Sequence, residues 1–311
     1  PTEACSLTPP IGYVADNNDQ NDNIDDSNMD DVLIVDTGSS GIPLMVSVLE
    51  DTYNVDLITI EDVMQGVPAG TEVLVWPGGV SFLNEDYISY TIFPFSVYIN
   101  PQITTSLQNF VNSGGGYVGI CAGSIIGTTL LETEVDVQDV YPEFPVSVII
   151  TEMSMAGLMD VNAVDYLEWY DNYAGQNNNM GTLTLYDHPI IGDYDGDYID
   201  YYGGPVFKDY ENVEVLATFT QQLEPNFYTT VGEPAIVVQD NIVLSSNHPE
   251  YDAETQPVFF RMVQHANGEI IEDPEPELEQ WPASSGTLIT TFSEPSGIIW
   301  HESRSSLFVA E

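Results

Sequence analysis

Basic side chains are almost absent from this 311-residue chain: Lys208, Arg261 and Arg304 stand against 50 Asp and Glu, for a formal charge of −47. Such a surface repels phosphate backbones, which excludes nucleic-acid binding and attachment to anionic membranes. It also repels itself, so the compact state needs screening salt or bound cations. Two settings fit: an extracellular or cell-surface location bathed in divalent cations, or the cytoplasm of a halophile. Cysteine is nearly as scarce. With only Cys5 and Cys121, one disulfide is the most that can form. No run of 18 apolar residues occurs, so no transmembrane span is expected. The chain opens on Pro1 rather than Met and is expected to be a processed product. What remains is ordinary: 43% hydrophobic residues, enough for a globular core.

The stretch that carries chemistry is Gly114-Gly-Gly-Tyr-Val-Gly-Ile-Cys-Ala-Gly-Ser124. A short apolar strand runs into Cys121, and small residues follow where a helix opens. Gly119-x-Cys121-x-Gly123 is the cysteine form of a nucleophile elbow, a sharp strand-to-helix turn flanked by glycines because larger side chains would strike neighbouring backbone. Cys121 would face the N-terminus of the next helix, which favours a thiolate. A buried cysteine in a glycine-rich turn is the plainer alternative. Far downstream, the apolar run Ile242–Leu244 leads through Ser245-Ser246-Asn247 into His248-Pro249-Glu250, which supplies a general base and a carboxylate to orient it. Ca²⁺ is the one candidate cofactor. Asp193-x-Asp195-Gly196-Asp197 alternates carboxylates about a glycine as calcium loops do, with a solvated acidic turn as the alternative; no other cofactor is required.

The order of the chain predicts an α/β domain. Asp31–Asp36 reads as a first strand, followed by the tight turn Thr37-Gly-Ser-Ser-Gly41 and a helix with Pro43 in its first turn. Val55–Ile60 and Val73–Trp76 read as further strands, and Asn100-Pro101 as a capped helix start. Strands alternating with helices imply a mostly parallel sheet flanked by helices, with ligands beyond the carboxyl ends of the strands. Gly78, Gly79, Cys121 and His248 are thereby expected around one crevice. The amides of Gly78, Gly79 and Ala122 are candidates for an oxyanion hole.

These segments resemble the class I glutamine amidotransferase-like superfamily and, within it, the biotin-protein ligase N-terminal domain family. The resemblance rests on the elbow at Cys121, the His248/Glu250 segment, Val73-Leu-Val-Trp-Pro-Gly-Gly79, Tyr201-Tyr-Gly-Gly-Pro205 (where the family's Asn is missing) and the paired strands Val215–Phe219 and Glu233–Val237. It runs from about Val32 to His265. It implies a flavodoxin-like, amidotransferase-like fold and a Cys121-His248-Glu250 triad acting on a small-molecule or peptide amide. It also implies an oxyanion role for the glycine pair. The alternative is a non-catalytic binding or scaffold ectodomain that keeps the fold. Residues 132–182 carry no recognisable motif.

The expected organisation is an acidic Asn/Asp-rich linker (1–31), the α/β domain (32–268), a Pro/Glu-rich linker (269–286) and a C-terminal β segment (287–311). That last segment resembles the opening of a β-propeller blade, so a propeller partner in a longer precursor is expected, since one blade cannot bury its own faces. The alternative is a tail packed back as edge strands.

Overall fold

A computed structural model describes residues 30–79, 88–92, 95–136, 149–165, 182–222, 230–271, 297–301 and 306–310. In chain order the first elements are β1 (Asp31–Val35), α1 (Ile42–Leu49), β2 (Asn54–Ile58), α2 (Ile60–Gln65), β3 (Thr71–Trp76), β4 (Ile88–Ile92), β5 (Phe95–Ile99) and α3 (Pro101–Asn112). Next come β6 (Gly116–Ile120), α4 (Ala122–Gly127), β7 (Leu130–Asp136), β8 (Ile149–Ser154), β9 (Asn162–Val164) and β10 (Leu183–Leu185). The rest are β11 (Val206–Lys208), β12 (Glu214–Phe219), β13 (Pro234–Gln239), β14 (Ile242–Ser245), α5 (Gln256–Ala266), β15 (Gly297–His301) and β16 (Ser306–Ala310).

The main sheet has the order β10-β12-β13-β14-β6-β3-β1-β2. Its β2-β1-β3-β6-β14 portion is parallel throughout. Numbered along the chain, these five strands have the order 2-1-3-4-5, the flavodoxin-like winding. The other three join by antiparallel pairing. β6 and β14 are wholly buried, which explains why their sequences are unbroken apolar runs rather than alternations. Helices cover both faces. A Cβ on Gly115 would lie 2.2 Å from the Phe110 ring of α3, and one on Gly116 would lie 2.1 Å from the Ala266 carbonyl of α5. Consecutive residues of an extended chain point to opposite sides, so α3 and α5 flank the sheet.

Local signals place the ends. Pro101 opens α3, and the Asn100 side chain accepts the Gln102 amide at 2.9 Å. Ile103, Leu107 and Phe110 fill its buried face, each such side chain contributing roughly 1.5–3 kcal/mol by leaving water. The second strand stops at Ile58 rather than continuing to Ile60, because Thr59 caps the short α2 by accepting the Asp62 amide.

A second sheet, β11-β9-β7-β8-β5-β4, draws β7, β8 and β9 largely from the stretch that shows no motif. Lys208 on β11 pairs with Glu132 on β7, across the intervening β9. No helix among the described residues is long and apolar enough to cross a membrane.

The chain divides into two compact units, Pro1–Ile271 and Glu272–Glu311. In the second, β15 and β16 form an antiparallel pair. Residues 1–29, with most of the acidic linker, and 272–296, with much of the Pro/Glu linker and the strand expected at 288–292, lie outside the described residues.

Candidate active site

Cys121 closes β6 and caps α4, with φ 52° and ψ −117°. A non-glycine residue held there costs on the order of 1–3 kcal/mol and persists only where its surroundings enforce it. The enforcement is visible. The Cys121 amide donates to the Ser245 carbonyl at 2.7 Å, and the Ser124 hydroxyl donates to the Cys121 carbonyl at 2.5 Å. The Tyr117 hydroxyl donates to the Gly123 carbonyl at 2.7 Å; burial pushes its pKa well up and keeps it a donor. The flanking glycines are obligatory: a Cβ on Gly123 would sit 1.9 Å from the Trp76 carbonyl oxygen, and one on Gly119 would sit 2.7 Å from that of Gly123. The thiol is free and buried.

β14 runs beside β6 in parallel, with Ser245 opposite Ile120, so its continuation brings His248 to the elbow. The His248 amide is anchored on the Asp200 carbonyl at 2.7 Å. Its Nδ1–H donates to Glu250 Oε1 at 2.7 Å, and the ring and the Cys121 side chain both border Gly78. His248 is 4% exposed and Glu250 0%. Burial alone drives the imidazole towards its neutral form, but the Glu250 and Cys121 charges and hydrogen bonds outweigh it and hold the His248 pKa well above the ordinary 6.5. Tyr202 and Tyr251 sit against the imidazole, with ring centroids 5.4 and 5.1 Å away.

Gly78 fills the angle between nucleophile and base. A Cβ there would lie 2.9 Å from His248 Cε1 and 3.5 Å from Cys121 Sγ, so only glycine lets the backbone pass. Gly79 has φ +109°, a conformation that glycine alone adopts freely. Neither the Gly79 nor the Ala122 amide hydrogen-bonds to another described residue. Ala122 is buried, and a buried N–H is seldom left without a partner.

The aspartates expected to bind calcium do not come together. Among the described residues no three His, Cys, Asp or Glu side chains are grouped so as to hold a metal. Asp193 lies 3.6 Å from Arg261 Nη2, and Arg261 also donates to the Ile190 and Ile191 carbonyls. Arg261 thus holds the chain at Ile190 and Ile191 and meets Asp193 at the start of the turn, a contact whose distance along the chain hides it from local pattern.

Several neighbours of the site were not anticipated. Thr37 Oγ1 donates to the Gly78 carbonyl at 2.8 Å. Gly41 abuts Glu250, where a Cβ would lie 2.7 Å from Oε1. The Ser40 and Tyr251 hydroxyls share a 2.8 Å hydrogen bond. Asp165, just past β9, is buried, and burial pushes its carboxyl pKa up to about 7; Tyr201 feels both its charge and that of Cys121. Any signal for the first three lay in the turn Thr37–Gly41, which reads as a simple strand-to-helix connection.

Residues 39–143 match the family model described as "Biotin-protein ligase, N terminal". The resemblance carried by the elbow and the Pro-Gly-Gly strand is borne out. The match takes in Gly78, Gly79, Cys121 and Ala122 and stops short of His248. A biotin–protein ligase from Schizosaccharomyces pombe (strain 972 / ATCC 24843) is 25% identical over 241 residues, covering 73% of this chain and 33% of that protein. The chain thus spans about a third of the length of the curated relative it matches. Among solved structures, a glutamine amidotransferase aligns with a TM-score of 0.43 and 17% identity over 76% of this chain and 98% of its own. PurLQS from Thermotoga maritima aligns with a TM-score of 0.44 and 13% identity over 76% and 98%.

Proposed function

We propose that the α/β domain is a cysteine hydrolase acting on an amide or peptide carbonyl through Cys121, His248 and Glu250. The observation that supports this most is the shared neighbourhood of the three side chains: His248 is bonded to the buried Glu250, and both it and a thiol held at positive φ border Gly78. His248 takes the thiol proton, and the sulfur adds to the substrate carbonyl carbon. The Gly79 and Ala122 amides receive the oxyanion, with Gly78 giving the backbone room to approach. Collapse breaks the C–N bond, and the proton on His248 passes to the leaving nitrogen. Water then gives its proton to His248 and attacks the thioester, and the returning proton restores the thiol as the carboxylic acid leaves. Glu250 holds the ring in orientation and supports its positive charge.

A second reading has its own support. The family match ends before His248, and a charge of −47 suits a solvated ectodomain, extracellular or in high salt, that binds rather than cleaves. The two readings part on one experiment. The whole chain is incubated with panels of amides, peptides and activated esters, and the mass of the Cys121 peptide is followed with Cys121→Ala as control. An acyl adduct and product release that vanish in Cys121→Ala support the hydrolase. An unmodified Cys121 and no turnover across the panels favour the binding module.

A further inference from the structure

The turn between β1 and α1 touches the candidate site at both ends. Thr37 Oγ1 donates to the Gly78 carbonyl at 2.8 Å, and the peptide plane it holds is the one that carries the Gly79 N–H. In a trans peptide the C=O and N–H point in opposite directions, so fixing the oxygen fixes where that amide aims. Four residues on, Gly41 presents no side chain to Glu250. A Cβ there would meet Oε1 at 2.7 Å, Cγ at 3.4 Å and Cδ at 3.5 Å. The backbone does not ask for glycine, since Gly41 has φ −75° and ψ −22°, which any residue adopts. What asks for it is the carboxylate. Among the described residues the buried Glu250 Oε2 has no hydrogen-bond partner, so Oε1 on His248 is the contact that holds the group in register.

We propose that Thr37–Gly41 is the positioning element of this site: Thr37 sets the Gly78–Gly79 peptide that receives the oxyanion, and Gly41 seats Glu250 against His248. The proposal rests on the hydrolase reading above and deepens it. Neither residue touches substrate; each acts through another.

Two reactions separate the roles. Alkylation by iodoacetamide displaces iodide from carbon without forming an oxyanion, so it reads the thiol and imidazole alone. Acylation by p-nitrophenyl acetate passes through a tetrahedral oxyanion and expels p-nitrophenolate, so it reads the amides as well. Both are followed on the Cys121 peptide of the intact chain by mass spectrometry, against a cysteine model peptide. Gly41→Ala is expected to move the alkylation midpoint up by about one pH unit, because a displaced Glu250 no longer supports the imidazolium. Its melting temperature is expected to fall, because the added Cβ must displace a fully buried carboxylate, so the reactions are run below the melting transition measured for the variant. Thr37→Val is expected to leave alkylation unchanged and slow acylation roughly tenfold or more, with Thr37→Ser restoring it. If wild-type Cys121 reacts no faster than the model peptide in both reactions, the hydrolase reading falls and the turn's role with it. If wild type is fast, Gly41→Ala keeps its profile and Thr37→Val acylates normally, the turn's role is overturned and the hydrolase reading stands.

Discussion

The parallel core and the second sheet of the larger unit solve the same packing problem with different materials. In the parallel core, β6 and β14 are wholly buried, and the tightest contacts are backbone on backbone, as where Gly123 lies beneath the Trp76 carbonyl. The second sheet carries charge inside it: Lys208 reaches across β9 to Glu132, and Asp165 is buried at the end of β9. The core that holds Cys121 and leads to His248 is therefore intolerant of added atoms, whereas the second sheet holds charged groups that answer to pH and salt.

The largest effect belongs to the parallel core. Gly123→Ala places a Cβ 1.9 Å from a carbonyl oxygen that is part of the sheet and cannot yield. Loss of folded protein is expected, a cost on the order of 4 kcal/mol or more, read as the absence of a cooperative melting transition. Survival of Gly123→Ala near the wild-type melting temperature would break the contrast.

The second sheet should instead respond to pH. The Asp165 carboxyl stands at about 7 in the fold against an ordinary 3.8, so the folded chain binds its proton more tightly than the unfolded chain does. The stability it contributes is complete below pH 4 and is lost as pH rises through about 7. Asp165→Asn should match wild type at pH 4 and exceed it above pH 7 by on the order of 4 kcal/mol. Denaturant titrations at the two pH values measure this, and equal differences at both would remove the effect.

A smaller effect is expected at Lys208. Its partner and the lysine itself are mostly buried, so Lys208→Met should cost roughly 1–2 kcal/mol at low salt and less in molar salt, where the Debye length is about 3 Å. Melting curves across sodium chloride concentrations check it. The smallest change is Asn100→Ala, which removes the cap on α3 and should cost about 1 kcal/mol at any salt or pH.

These differences in material also set what could be read in advance. The parallel core was legible because strands buried on both faces show as apolar runs, and because Pro101, Asn100 and the glycines about Cys121 each answer a local backbone demand. The His248 segment was legible as an apolar run ending in His-x-Glu. The second sheet was not, since β9 is only three residues long and β7 reads Leu-Leu-Glu-Thr-Glu-Val-Asp, with polar residues that local pattern cannot assign to a partner. Thr37 and Gly41 escaped for a related reason: their meaning lies in contacts with Gly78 and Glu250, far along the chain. The Asp193–Asp197 turn shows the converse: its alternating carboxylates form a local pattern, while the contact of Asp193 with Arg261 comes from far along the chain.

The central claim is that thiol, imidazole and carboxylate form one coupled unit, and titration of the His248 ring by NMR, in wild type and in Cys121→Ala, tests it most directly. The account predicts a ring that stays protonated well above pH 6.5 in wild type, with its midpoint falling when the sulfur is removed. A ring that titrates near 6.5 in both proteins would contradict it.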